Sequence, residues 1–319
     1  MMTGMKAFAE QIAGVMNKEE KGGLEFRTWK RLKNNGIEAC GIFAAGNGRI
    51  VSPIIYLEPF YDAYRKGIPM EDITRRIRKI MEGAEGPDME KVHIMEQFES
   101  AAQRVMFRLV NADMNRELLK QVPHIRILDL AVVFCVRLGK GNGGSFTAMV
   151  TREMADQWKI TPEELWKLAL ANSRRELPPV LWGSGGMLEE DTDGGDTWSA
   201  RDGFMYVLSN RERSWGAGCI LYPGELKKAA SRLGGDLVVL PSSVHETMIF
   251  VRTGEEDPEL FGRMISEVNR KEVAREEWLS FQAYGYSLEE DRLMLLSEMP
   301  PVEQPEEVMD QPRMDTVQV

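Results

Sequence analysis

Imidazole chemistry in this 319-residue chain can run only through His93, His124 or His245, the three histidines it contains. His245 has the most suggestive company, in the run Leu240-Pro241-Ser242-Ser243-Val244-His245-Glu246 between two apolar stretches. Ser243, His245 and Glu246 supply a nucleophile, a base and a carboxylate, the residue types of hydrolytic acyl transfer. Their closeness argues against that use, because three neighbours in one extended segment cannot converge on a single reacting atom. The chain also has no GxSxG elbow. A hydrolase-like centre on His245 would need a concave pocket and a carboxylate, either Glu246 or one from another element. The competing expectation is a polar connection in which Ser243 or His245 satisfies nearby backbone groups.

Other constellations reduce to simpler roles. Glu90 and Glu96 stand three residues either side of His93 on an expected helix, so one face could carry two carboxylates and an imidazole. Helical carboxylate sites draw ligands from two or more helices, and no second Glu-x-x-His is present, so surface ion pairing is expected and no metal. Gly139, Gly141 and Gly144 spell GxGxxG after an apolar strand, but a strand-like run follows where a dinucleotide site needs a helix, so the glycines predict a hairpin turn. The glycines of residues 41–46 have phosphate-loop spacing, yet Asn47-Gly48 stands where Lys and Ser/Thr are required. No cofactor is expected.

Two surfaces could bind partners. Tyr56, Phe60, Tyr61 and Tyr64 cluster around a strand-to-helix junction and could line a groove for another protein, with core packing as the alternative. Residues 1–80 hold 14 Lys or Arg against 9 Asp or Glu, and Arg75, Arg76, Arg78 and Lys79 share one helix that could meet nucleic-acid phosphates. Ile73, Ile77 and Ile80 give that helix a buried stripe, which makes an ordinary solvated helix the competing expectation.

The elements that must position these groups follow from periodicity. Phe8, Ile12, Val15 and Met16 mark an amphipathic N-terminal helix that is expected to stay in the protein. Strands over 24–33 and 37–44 flank the turn Asn34-Asn35-Gly36, and residues 50–57 form a third strand interrupted by Pro53. Helices over 58–66 and 71–82 precede a Gly/Pro break at 83–87 and a helix over 88–100. The central part reads as strands 104–110, 125–138 and 145–150 with helices over 114–121 and 152–158. Thr161-Pro162-Glu163-Glu164 then opens a helix with a capping box. Strands over 204–209, 217–222, 236–240 and 247–252 and helices over 224–233 and 258–269 follow. Residues 271–281 extend the helical pattern and 293–296 return as a strand. Strands in hairpins rather than in strict alternation with helices predict an α+β fold with antiparallel or mixed sheets and packed helices. The expected divisions are residues 1–86, 87–182, an acidic flexible loop at 183–199, 200–297, and a disordered acidic Pro-rich tail at 298–319.

Composition sets the compartment. The net charge of −10 resides in two segments, −5 in residues 184–197 and −5 in the tail from Glu298, leaving the remainder formally neutral. No apolar run approaches the roughly 20 residues of a membrane span. Cys40, Cys135 and Cys219 are odd in number and lie in apolar surroundings, which fits buried thiols in a reducing cytoplasm.

Several spaced stretches carry a resemblance. They are Lys33-Asn34-Asn35-Gly36, then Ile50-Val51-Ser52-Pro53-Ile54-Ile55-Tyr56-Leu57 running into Phe60-Tyr61, then Leu221-Tyr222-Pro223-Gly224, and finally the run from Leu240 to Glu246. In this order they resemble a domain-of-unknown-function family of anaerobic Gram-positive gut bacteria, some of its members carried on mobile elements. The resemblance covers about residues 26–286 and implies no catalytic residue. The leading expectation is a cytoplasmic, non-enzymatic regulatory or protein-interaction module. The alternatives are a hydrolase-like enzyme at His245 and Glu246, and nucleic-acid binding through the basic N-terminal region.

Overall fold

The structure is a computed structural model that describes residues 2–46, 54–83, 94–141, 144–183, 198–199 and 205–302. His93 with Glu90, most of the acidic segment and the tail beyond residue 302 lie outside the described residues. The fold is α+β, with antiparallel sheets. No described helix is long and apolar enough to cross a membrane.

The N-terminal unit builds its own core. Helix α1 (Met2–Glu19) buries Phe8, Ile12 and Met16 at helical spacing against the hairpin of β1 (Leu24–Leu32) and β2 (Glu38–Gly46). Strand β3 (Ile55–Tyr56) adds to β2, with Tyr56 opposite Gly41. Helices α2 (Glu58–Arg65) and α3 (Met70–Gly83) close this core, α3 through Ile73, Ile77 and Met81.

The central sheet is organised by one long strand. After α4 (Phe98–Ala102), β4 (Val105–Asn111) and the short α5 (Arg116–Leu119), β5 (His124–Ile127) turns into β6 (Leu130–Gly141) and β7 (Gly144–Met149). Strand β6 pairs with β4 along one edge and with β5 and then β7 along the other. The single strand expected over 125–138 is thus two, because Leu128 adopts φ 55° and the chain reverses at Asp129. Gly141 pairs with Gly144 across the β6–β7 hairpin, so the glycine motif opens no helix. Helices α6 (Arg152–Trp158) and α7 (Pro162–Glu176) follow, and α7 carries the expected capping box between Thr161 and Glu164.

The C-terminal sheet comprises β8 (Pro179–Gly183), β9 (Trp198–Ser199), β10 (Tyr206–Asn210), β11 (Leu237–Leu240), β12 (Thr247–Val251), β13 (Tyr284–Ser287) and β14 (Arg292–Leu295). Its order is β14-β13-β11-β12-β10-β8-β9, antiparallel except for β8 with β9. Helices α8 (Glu225–Leu233) and α9 (Pro258–Glu272) accompany it. Residues 217–222 are not the expected strand but part of a 3-10 turn, Gly216–Leu221, wedged into the core. A Cβ at Gly216 would lie 2.0 Å from the Ser209 hydroxyl and 2.6 Å from the His245 carbonyl, so this approach admits only glycine. The helical pattern of 271–281 continues α9 only to Glu272 and then gives a single 3-10 turn, Arg275–Glu277. The Trp278 indole N–H donates to the carbonyls of Asn269 and Val273, each at 3.0 Å, and so takes up the end of α9.

Central and C-terminal sheets share one apolar core running from Ile94 to Tyr286, whereas the N-terminal core stays separate. What joins them is polar. Asn35 sits in the left-handed region at φ 59°, and its side chain donates to the carbonyls of Arg275 at 2.8 Å and Trp278 at 2.7 Å. Its backbone N–H donates to Asn115 Oδ1 at 2.8 Å, and Asn115 Nδ2 returns to Asn35 Oδ1 at 2.9 Å and to the Asn111 carbonyl at 2.8 Å. Asn111 Nδ2 in turn donates to the Leu279 carbonyl at 2.8 Å. Nearby, Ser280 Oγ donates to Asp129 Oδ2 at 2.9 Å and the Tyr284 hydroxyl donates to Asp129 Oδ1.

Substituting Asn35→Ala removes the amide and leaves the carbonyls of Arg275 and Trp278 and the buried Asn115 without it. The expected cost is about 2–4 kcal/mol in urea unfolding; a change below about 0.5 kcal/mol would show that the network contributes little. Burial, reinforced by the Asp129 carboxylate, raises the Tyr284 phenol far above the ordinary tyrosine range. A proton held more tightly in the folded chain gives stability that is complete below about pH 10, the unfolded tyrosine value, and is lost as pH rises beyond it. Tyr284→Phe should flatten the alkaline fall of the urea midpoint, and an unchanged slope would remove Tyr284 from that transition.

Candidate functional site

A cleft of about 360 Å³ opens where the three parts meet. The end of β1 brings Arg31 and Lys33, and β3 brings Tyr56. The central sheet contributes Arg108 and Thr147, while Trp215, His245, Glu276 and Glu277 come from C-terminal connections. These connections are held by backbone pairing: Val244 N–H donates to the Glu277 carbonyl at 2.8 Å, Leu279 N–H to Ser242 at 2.9 Å and Ser280 N–H to Pro241 at 2.9 Å.

His245 is fixed from every side. Its carbonyl accepts from Ser209 Oγ at 2.7 Å, and its own N–H donates to Ser243 Oγ at 3.2 Å. Trp215, left-handed at φ 57°, aims its backbone N–H at His245 Nδ1 at 3.2 Å. A neutral ring that accepts at Nδ1 carries its hydrogen on Nε2, and Nε2 faces Glu277 Oε1 at 3.5 Å. The carboxylate beside the imidazole is therefore Glu277, whereas Glu246 is exposed and does not line the cleft. Ser243 serves the backbone of His245 rather than its ring.

The cationic wall is also ordered. The Arg108 guanidinium stacks 4.3 Å from the Trp215 ring centre and donates to Thr147 Oγ1 at 2.8 Å. Lys33 lies 4.6 Å over the Tyr56 ring and 3.7 Å from Glu276, and Tyr56 meets Trp29 edge-on at 6.2 Å. Among the described residues no carboxylate comes within ion-pair distance of Arg31 or Arg108. Behind Arg108 a smaller cavity of about 150 Å³ is lined by Cys135, Arg137 and Glu212, with Arg137 and Glu212 2.7 Å apart. Burial raises the Cys135 thiol, which keeps it protonated and unreactive.

The remaining expected site residues lie elsewhere. Tyr61 and Tyr64 pack against Phe8, each with ring centres 5.2 Å away, and Phe60 is half-buried on the N-terminal core; only Tyr56 reaches the cleft. Arg78 is spent internally, donating to the Met16 carbonyl at 2.8 Å and lying 5.2 Å over Phe26 between Glu19 and Glu20. Arg75 pairs with Asp72 at 2.7 Å, which leaves Arg76 and Lys79 as exposed cations of that helix. His124 Nδ1 contacts the Val122 carbonyl at 3.2 Å, away from the cleft. No group of three or more His, Cys, Asp or Glu among the described residues could hold a metal. Sequence reasoning missed Arg108, Trp215, Glu276 and Glu277. No local signal marked the last two, which lie inside the run 271–281 that reads as helical.

A model described as a family of unknown function, DUF5688, matches residues 5–288. The chain belongs to DUF5688. No curated protein and no solved structure matches it. The DUF5688 match takes in every residue of the cleft and α9, while the acidic tail from Glu298 lies beyond it.

The geometry makes a spectroscopic prediction. In a long-range ¹⁵N–¹H correlation of the neutral protein, His245 should show hydrogen on Nε2 and a bare Nδ1. Glu277→Gln should preserve this pattern, because the Trp215 N–H sets it. A hydrogen found on Nδ1 would reverse the assignment.

Proposed function

We propose that this DUF5688 chain is a non-enzymatic interaction module of the bacterial cytoplasm that captures an acidic segment of a partner protein in the cleft. The observation that carries this reading is the Trp215 backbone N–H placed 3.2 Å from His245 Nδ1. With the Trp215 N–H on Nδ1 and a hydrogen on Nε2, the ring offers no lone pair for abstracting a substrate proton. The cleft's chemistry is that of recognition. Arg108 is held over Trp215 with Thr147 fixing one of its nitrogens, Arg31 lines the same cleft, and Tyr56 offers an aromatic platform. Glu276 and Glu277 are turned to Lys33 and His245, which lessens their repulsion of an incoming acid. Three buried, unpaired cysteines support a reducing compartment.

The hydrolase-like alternative draws on the concave cleft and on Glu277 beside His245, and the nucleic-acid alternative on Arg76 and Lys79. A fluorescein-labelled Glu-rich peptide separates the three. The wild-type chain should bind it and ignore the matching Gln-rich peptide. Arg31→Gln and Arg108→Gln should each weaken binding about tenfold, as expected for the loss of a charge-assisted hydrogen bond, with thermal midpoints nearly unchanged for Arg31→Gln. Equal affinity for both peptides would overturn the proposal. Turnover of a chromogenic ester that is lost in His245→Ala would install the hydrolase reading, and displacement of the peptide by an oligonucleotide would favour the nucleic-acid one.

A further inference from the structure

Helix α9 presents an apolar stripe to solvent on the side opposite its core contacts. Leu260, Met264 and Val268 are 49%, 52% and 43% exposed, whereas Ile265 and Asn269 are buried. Asp257, which caps the helix through the Glu259 N–H and lies 3.6 Å from Arg263, and Lys271, 2.6 Å from Glu267, continue the same stripe at its two exposed ends, so that positions 257, 260, 264, 268 and 271 run in steps of three, four, four and three residues. This spacing is a palindrome about Met264. Two copies of α9 laid antiparallel across a two-fold axis at Met264 would pair Leu260 with Val268 twice and bring each Asp257 to the other copy's Lys271. The helix is acidic in its first turn and basic in its last, with Glu259 against Arg270 and Lys271, so the antiparallel arrangement also opposes unlike charges and dipoles.

We propose that this stripe is an isologous interface and that its occupant is α9 of a second copy of the chain. A self-complementary surface is what a two-fold dimer requires, and Leu260, Met264 and Val268, in steps of four, form one ridge of the kind by which helices pack. The contact is small, so the dimer is a weak one, with a dissociation constant on the order of micromolar. Its apolar centre supplies the attraction, and the Asp257–Lys271 ends fix the direction and register.

Sedimentation velocity of the full chain over a dilution series tests it. A reversible shift from the 36.2 kDa chain mass towards twice that value is expected. Met264→Glu sets two carboxylates face to face on the axis and should weaken association at least tenfold, with an unchanged circular dichroism spectrum because Met264 makes no core contact. Met264→Cys should be trapped as a covalent dimer under mild oxidation, since Cys40, Cys135 and Cys219 are buried and cannot compete. Leu260→Cys should crosslink when mixed with Val268→Cys and much less with itself. A chain that stays at 36.2 kDa at every concentration overturns the proposal. So does a dimer that survives Met264→Glu and is not trapped by Met264→Cys.

Discussion

The architecture depends on a chain of side-chain amides that ties three regions of sequence together. Asn35, Asn115 and Asn111 pass hydrogen bonds from the tip of the first hairpin, through the end of β4, to the carbonyls of Arg275, Trp278 and Leu279. The N-terminal core does not merge with the larger one, so apolar burial cannot align them. Hydrogen bonds can, because they are directional and a buried amide left unpaired costs about 1–3 kcal/mol. Misalignment by even a few tenths of an ångström at this junction strands several groups together, which makes the docking of the two cores all-or-none.

The cleft is a by-product of that junction. Lys33 and Asn34 precede the pivotal Asn35, and Glu276 and Glu277 lie within the 275–278 segment whose carbonyls Asn35 holds. Arg108 stands on the same strand, β4, that ends in Asn111. The polar network therefore sets the distance between the cationic and carboxylate walls. The side chains that would meet a ligand are supported by backbone contacts made next door: Arg31, Tyr56, Arg108 and Thr147 by strand pairing, and Trp215, His245 and Glu277 by bonds between connections.

What the sequence revealed follows the physics of each signal. Periodicity located α1, α3, α7 and the first hairpin closely, because each buries one regular stripe. It joined β5 to β6, since the run of Ile, Val and Leu hides the reversal that Leu128 makes at positive φ. It read residues 217–222 as a strand because a buried apolar run has no face to betray its period. It passed over β8, whose start at Pro178-Pro179 and short length resemble a break. His245 and Tyr56 were visible as candidates by residue type, but Arg108, Trp215 and Glu277 were not, because nothing local connects residues so far apart. Asn34-Asn35-Gly36 was legible as a turn and illegible as a latch: the turn needs only its own backbone, the latch needs partners beyond residue 270.

That sequence separation has a kinetic meaning. Every buried residue of the N-terminal core lies between Phe8 and Met81, so this unit has the contacts it needs soon after it leaves the ribosome. Its latch does not: the bond from Asn35 to the Arg275 carbonyl closes a loop of 240 residues. At about 5–20 residues per second of synthesis, the hairpin tip waits roughly 10–50 seconds for its acceptors. During that interval the Nδ2 hydrogens of Asn35 are satisfied by water, while its N–H and Oδ1 can already meet Asn115, 80 residues on. The last step of maturation is then a docking event between preformed parts, timed by translation rather than by local folding.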